Sequence, residues 1–297
     1  FDVRILSPNQ YTKYNKSVKK RFIYSGGKIM SNSQEGKTAL ITGSYGGLGT
    51  QFVNIHASNG CNLILVGRNP KKLKDQQKEV LQKHNVRAHI IDVDFSKPEA
   101  AQIIYDTCKK NGWKVDYLIN NAGFGGQGKF IKHSMEEDMS MIAVNIETPT
   151  RLAKLFLPDF VKRGSGKLLN VSSTAAVIPG PLQAVYYATK AYLTSWSDAL
   201  WREVQGTGVT VTCLMPGAMQ TGFISRGDLS STQLFANAVK PDTVAKAGYE
   251  GMLAGKLNVT ADLTAMQKPF MAMAPMLPKK MMMNNVYKMQ EQGSRKK

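Results

Sequence analysis

From Lys37 onward the chain alternates short β-branched runs with longer stretches of helical periodicity, and that alternation restricts it to few architectures. Successive strands joined by helices return parallel to one another, so the sheet they build must be covered on both faces. Strands are expected at Lys37–Thr42, Asn62–Val66, Arg87–Ile91, Tyr117–Ile119, Lys167–Val171 and Val209–Leu214. Helical patterns occupy Gly47–Ser58, Pro70–His84, Pro98–Asn111, a long region from Met135 to Arg163, and Val185–Gln205. Six strands with five crossovers predict one doubly wound α/β sheet of Rossmann type in a single domain. With 42% of its 297 residues hydrophobic, the chain can fill one large core.

Charge and cysteine usage narrow the function classes. The net charge is +18, but residues 1–29 hold seven Lys/Arg against one acid, and residues 279–297 hold six against one. Between these ends no basic face interleaved with aromatics appears, which argues against a nucleic-acid partner. Cys61, Cys108 and Cys213 are widely separated in apolar or helical runs, so three reduced thiols in a cytoplasmic protein are expected, with no disulfide framework and no metal site. No apolar run reaches the roughly 18 residues that a membrane-spanning helix requires.

The two ends stand apart from the alternating region. Residues 1–29 carry neither amphipathic periodicity nor a secretory pattern, while Met30 opens a segment that resembles a natural start before a first strand. Residues 1–29 are therefore expected to be a disordered or upstream-translated arm; Gly26-Gly27-Lys28 is what a purine-rich ribosome-binding site would encode, which points to a bacterial source. The body is expected over 30–265, with a variable lid near 219–240. Residues 266–297 form a basic extension with eight methionines between 266 and 289, suited to packing within the protein or its dimer, or to contact with a membrane surface.

Ligands of doubly wound sheets bind beyond the carboxyl ends of the strands. After the first strand comes TGSYGGLGT, in which Gly43, Ser44, Tyr45, Gly47, Leu48 and Gly49 open a helix and can bring free N–H groups close to a pyrophosphate. The spacing is Gly-x-x-x-Gly-x-Gly rather than Gly-x-Gly-x-x-Gly. After the second strand Arg68 stands where an acid would select NAD, and an arginine there suits the 2′-phosphate of NADP, with NAD(H) the alternative. Asp94 and Phe95 offer a carboxylate and a flat apolar group beside the expected adenine site, and Asn121-Ala122-Gly123 make a small polar turn after the fourth strand.

Together, TGSYGGLG, NNAG at 120–123, Ser173, Tyr186-x-x-x-Lys190 and Pro216-Gly217 resemble the short-chain dehydrogenase/reductase family, and the likeness runs from about Gly36 to Phe223. It is closest to bacterial short-chain oxidoreductases, with some likeness to hydroxysteroid dehydrogenases. The resemblance implies an NAD(P)-dependent oxidoreductase, commonly a homodimer or homotetramer, acting on a small carbonyl or alcohol. Tyr186 is then the proton donor in reduction, Lys190 holds the nicotinamide ribose, Ser173 bonds the substrate oxygen, and Asn145 holds a water in a proton relay. Met219 and Thr221, after Pro216-Gly217, would approach the carboxamide.

Residue chemistry supports those roles. Lys190 follows Tyr186 by four positions, which places both on one helix face, and a neighbouring ammonium is expected to favour the phenolate of a tyrosine whose ordinary pKa is near 10. Helical geometry alone would also admit Tyr187; the family spacing selects Tyr186. Alternation along the strand turns Ser172 and Thr174 away from Ser173, giving them structural roles. The mixed segment FISRGDLSSTQLF carries no clear anion clamp, so the substrate is expected to be neutral or apolar. A fold of this kind also serves as a catalytically idle cofactor sensor or scaffold, but such a protein has no need of the Asn145, Ser173, Tyr186 and Lys190 set.

Overall fold

Strand β1, Thr38–Thr42, is buried at every position: Ala39 and Ile41 turn to one face and Leu40 to the other. A strand with both sides apolar must lie at the centre of a covered sheet. In the computed structural model, which describes residues 34–219, 239–261 and 273–291, β1 is flanked on both sides in a seven-stranded parallel sheet. The other strands are β2 (Asn62–Gly67), β3 (Ala88–Asp92), β4 (Tyr117–Asn120), β5 (Gly166–Val171), β6 (Val209–Pro216) and β7 (Asn258–Ala261), in the order β3-β2-β1-β4-β5-β6-β7. The chain steps outward from β1 to β3 and then returns to pair β4 with β1, so the direction of winding reverses between these two strands. A crevice at their carboxyl ends follows from that reversal.

Helices α1 (Gly47–Ser58), α2 (Pro70–Lys83) and α7 (Pro241–Leu253) cover one face, around Phe52, Leu65 and Met252. On the other face α3 (Ala100–Lys110), α5 (Thr148–Lys162) and α6 (Ala184–Glu203) pack around Ile104, Phe156 and Val211. Local chemistry starts these helices. Asn69 caps α2 by accepting from the Lys72 N–H at 3.0 Å, with Pro70 pre-set in the first turn. Ser134 and Glu137 form a reciprocal capping box at the head of α4, Met135–Ile142.

Two sequence expectations require correction. The region from Met135 to Arg163 is not one helix: α4 and α5 are joined by a π-helical turn, Ala143–Glu147. Pro149 has no N–H to give the Asn145 carbonyl four residues back, so an ordinary α-helical ladder fails there. The sheet also has a seventh strand, NVTA, which alternates exposed and buried positions and follows α7 after a short turn. The thiols of Cys61, Cys108 and Cys213 are free and buried.

At the carboxyl end, α8 (Lys279–Gln290) turns Met282, Val286 and Gln290 into the protein. Residues 1–33, 220–238, 262–272 and 292–297 lie outside the described residues, and with them the proposed amino-terminal arm and most of the expected lid. At the two ends of the expected lid Met219 bridges Val239, whose N–H donates to the Ala218 carbonyl at 2.9 Å. No helix among the described residues is long and apolar enough to cross a membrane.

Candidate active site

The glycine turn after β1 is built so tightly that side chains are excluded at Gly43 and Gly49. Gly43 has φ +64°, and a Cβ on it would meet the Ala122 backbone at 3.1 Å. A Cβ on Gly49 would lie 2.2 Å from the Gly43 carbonyl oxygen. Thr42 Oγ1 accepts from the N–H groups of Asn121 and Ala122, both at 3.0 Å, and the Asn121 amide donates to the Thr42 and Gly43 carbonyls. Asn121 thereby braces the turn, a role its sequence position alone did not disclose.

Helix α1 begins immediately after that brace. Its N-cap is Gly46, which offers no side-chain cap, and no acid occupies its first turn. Its free N–H groups and positive dipole end are left for an anion. Ser44 Oγ is buried there without a hydrogen-bond partner, while its carbonyl is held by the Gln76 amide at 2.9 Å. A bare helix start, an orphaned hydroxyl and a turn closed to a Cβ at Gly43 and Gly49 fit the pyrophosphate of a dinucleotide.

Arg68, exposed at the end of β2, donates its N–H to the Tyr45 hydroxyl at 3.1 Å. The Tyr45 ring lies on Gly67 and under the Lys72 ammonium, 5.8 Å from its centroid. Asp94 is turned to its own loop: Oδ1 accepts from the Ser96 N–H and hydroxyl, and these bonds hold its carboxyl below the usual range, with Arg68 and Lys97 adding to the effect. Phe95 differs from expectation. Its ring is 7% exposed within the core beside α3, so the flat apolar group predicted for the adenine is packing inward.

The catalytic candidates converge at the carboxyl ends of β4 and β5. Ser173 follows β5 and caps a 3₁₀ turn, Thr174–Val177: its Oγ accepts from the Ala175 N–H at 3.1 Å, reaches the Pro216 carbonyl at 3.5 Å and is hydrogen-bonded to the Tyr186 side chain. Lys190 is 5% exposed and donates from Nζ to the Val171 carbonyl at 2.9 Å, with Nζ 5.7 Å from the Tyr186 ring centre. Asn145 lies fully buried in the π turn, where Oδ1 accepts from the Phe124 N–H and Nδ2 donates to the Phe124 carbonyl and Thr189 Oγ1. A Cβ on Gly123 would stand 3.1 Å from Asn145 Oδ1 and 3.3 Å from Lys190 Nζ, so the small turn after β4 is what lets the two approach. Thr189, which sequence reasoning passed over, joins the set by donating to the Tyr186 carbonyl at 2.7 Å.

Electrostatics depart from the sequence expectation at one point. Burial pushes the Tyr186 hydroxyl up to about 12, against the smaller opposing effect of the Ser173 bond. Burial likewise lowers Lys190 to about 8. The ammonium is directed at Val171, and its expected depression of the tyrosine does not outweigh desolvation in this arrangement. A tyrosine so placed stays protonated at neutral pH, the form needed to give a proton to a carbonyl oxygen.

Neighbouring hydroxyls take structural parts. Ser172 Oγ donates to the Lys190 carbonyl at 2.9 Å and pairs with Thr194. Tyr187 is buried, its ring against Gly180 and its hydroxyl accepting from Gln290 Nε2 at 2.9 Å. Pro216 ends β6, with Gly217 and Met219 just beyond it; Thr221 lies outside the described residues. No group of metal-ligating side chains occurs among the described residues.

Known proteins are similar to this chain in sequence and fold. The short chain dehydrogenase family model matches residues 37–228. An uncharacterized oxidoreductase of Staphylococcus saprophyticus is 32% identical over 223 residues, 73% of this chain and 89% of the relative. A 7β-hydroxysteroid dehydrogenase structure aligns with TM-score 0.76 at 24% identity, covering 85% of this chain and 97% of the other, a likeness of fold. A short-chain dehydrogenase from Sphingobium yanoikuyae in complex with NADPH aligns at 0.73 and 25% identity, covering 81% and 93%. With the match extending from β1 past β6 and taking in the glycine turn, Ser173, Tyr186 and Lys190, the chain belongs to the short-chain dehydrogenase/reductase family of oxidoreductases.

Proposed function

We propose that the protein is an NADP(H)-dependent oxidoreductase that interconverts a neutral or apolar carbonyl compound and its alcohol, with Tyr186 as the acid and base. The observation that carries this reading is the convergence of Ser173, Tyr186, Lys190 and Asn145 on one end of the sheet, beside a glycine turn fitted to a pyrophosphate. A bound nicotinamide dinucleotide supplies or accepts the hydride. The glycine turn and α1 would hold its pyrophosphate, Arg68 its 2′-phosphate and Lys190 its nicotinamide ribose.

In reduction Tyr186 gives its phenolic proton to the carbonyl oxygen as that oxygen becomes an alcohol, and Ser173 donates a hydrogen bond to the charge developing there. Lys190, charged below about pH 8, stabilises the resulting phenolate until a proton returns. Asn145 positions the Phe124 loop and, through Thr189, the helix that carries Tyr186. A cytoplasmic bacterial enzyme assembling as a homodimer or homotetramer accompanies this reading.

Titration with NADPH and NADH, followed by quenching of tryptophan fluorescence, tests the cofactor assignment. NADPH should bind the more tightly, and Arg68→Ala should weaken it by roughly ten- to a hundredfold while leaving NADH little changed. A panel of ketones and aldehydes then tests chemistry, with turnover lost in Tyr186→Phe. If neither nucleotide binds, an idle scaffold replaces the enzyme as the better reading.

A further inference from the structure

Thirteen large hydrophobic side chains are exposed among the described residues, and nine of them fall in two short segments, 130–139 and 273–289. In the first, Ile131 is 82% exposed, and Phe130 and Met135 are exposed in the same stretch of chain; in the second, Met276 is 85% exposed, followed by Met281 and Met289 on α8. Scattered apolar residues on a surface need no explanation, but a concentration of this kind does.

The chain just before the first segment is tied to the end of α8, next to Tyr187. The Gln127 amide donates to the Gln290 carbonyl at the end of α8, and Gln290 Nε2 donates to Tyr187, the neighbour of the catalytic tyrosine. Phe130 and Ile131 follow Gln127 closely, and Met289 precedes Gln290. With Met282, Val286 and Gln290 spent on inward packing, α8 leaves its other methionines outward in company with exposed Lys279, Lys280 and Lys288. Exposed Lys129 and Lys132 flank the Phe130–Ile131 pair. Exposed acids in these stretches are Glu136, Glu137 and Glu291, and Glu137 is engaged in the cap of α4.

We propose that this face is a docking surface for an anionic lipid bilayer. Unbranched methionines and the Phe130–Ile131 pair can enter the boundary between headgroups and acyl chains, while lysine stems lie along it with their ammonium groups at the lipid phosphates. The lysines also disfavour a second copy of the chain on this face, because self-pairing would bring like charges together, whereas an anionic surface complements them. The docking surface stands on the exposed groups alone and does not depend on the catalytic reading.

Sedimentation of the full chain with vesicles tests it, using phosphatidylcholine alone and phosphatidylcholine with phosphatidylglycerol. Binding is expected to the mixed vesicles and to weaken as salt rises. The triple variant Lys279→Glu, Lys280→Glu, Lys288→Glu should bind at least about tenfold more weakly. Ile131→Ser combined with Met281→Gln and Met289→Gln should remove the binding that survives high salt. Unchanged circular dichroism and melting temperature establish that both variants are folded. Absence of binding, or equal binding to the two vesicle types, overturns the proposal. Concentration-dependent self-association abolished by the methionine variant, without lipid binding, assigns the face to a second copy and also overturns it.

Discussion

Replacing Gly49 by alanine tests whether the turn after β1 is shaped by exclusion of side chains. The new Cβ would stand 2.2 Å from the Gly43 carbonyl oxygen, about 1 Å inside an ordinary carbon–oxygen contact. That oxygen also accepts from the Gly46 N–H at 3.0 Å and the Asn121 amide at 3.2 Å, so moving it strains two further bonds. Overpacking costs about 1–3 kcal/mol, and each hydrogen bond adds about 0.5–1.5, for a total of roughly 2–6 kcal/mol. If the cost falls on the binding shape of the turn, NADPH affinity drops at least about thirtyfold. Gly46→Ala is the internal control: its Cβ would lie 3.2 Å from the same oxygen, and its φ of −72° suits any residue, so a loss under about threefold is expected. Fluorescence titration of the two variants, with thermal melts alongside, gives the comparison. Equal losses in the two, or full affinity in Gly49→Ala, would refute the reasoning.

Adjacent tyrosines should separate chemistry from packing. Tyr186→Phe is expected to abolish turnover with little change in melting temperature, whereas Tyr187→Phe strands the buried Gln290 amide and should cost about 1–3 kcal/mol in denaturant titration. Because burial lowers Lys190 to about 8, the ammonium is lost as pH rises through that value, and turnover should fall about tenfold per pH unit beyond it; a flat profile to pH ~9.5 would remove the lysine charge from the mechanism. His56 is fully buried with both ring nitrogens unpartnered, and its pKa falls from 6.5 to about 3. The unfolded chain therefore binds the extra proton across that window, and stability should drop as pH falls below 6.5, by up to about 1.4 kcal/mol per unit. Urea titrations at several pH values should show this slope reduced in His56→Gln.

Where several local signals coincided, the sequence was readable: β1 is apolar on both faces, α2 is announced by Asn69-Pro70, and the glycine turn sits where a strand gives way to a helix. Strand β7 escaped because only Val259 and Ala261 of its four residues are buried. The π turn escaped because its cause, Pro149, also reads as an ordinary helix start. At the site, spacing picked Tyr186 and Lys190, but no spacing announces that Asn121 braces the turn, that Thr189 reaches Asn145, or that the Phe95 ring faces inward. Those outcomes depend on contacts between segments distant in sequence. The acidity of Tyr186 was expected from its Lys190 neighbour alone, and desolvation, a property of the whole surroundings, outweighed that effect.

The π turn offers a way to part the fold from its chemistry. A π bulge takes up one surplus residue in a helix while the segments on either side keep their facing. Deleting Val144 and replacing Pro149 by alanine should therefore let α4 run straight into α5, with Leu152, Phe156 and Phe160 still in the core. The fastening of Asn145 to the Phe124 loop and to Thr189 has no place in that smoother rod. One residue of helical irregularity thus becomes a handle for engineering: a chain that folds and keeps its nucleotide cradle, melts lower by what the lost Asn145 bonds contributed, and turns over slowly or not at all.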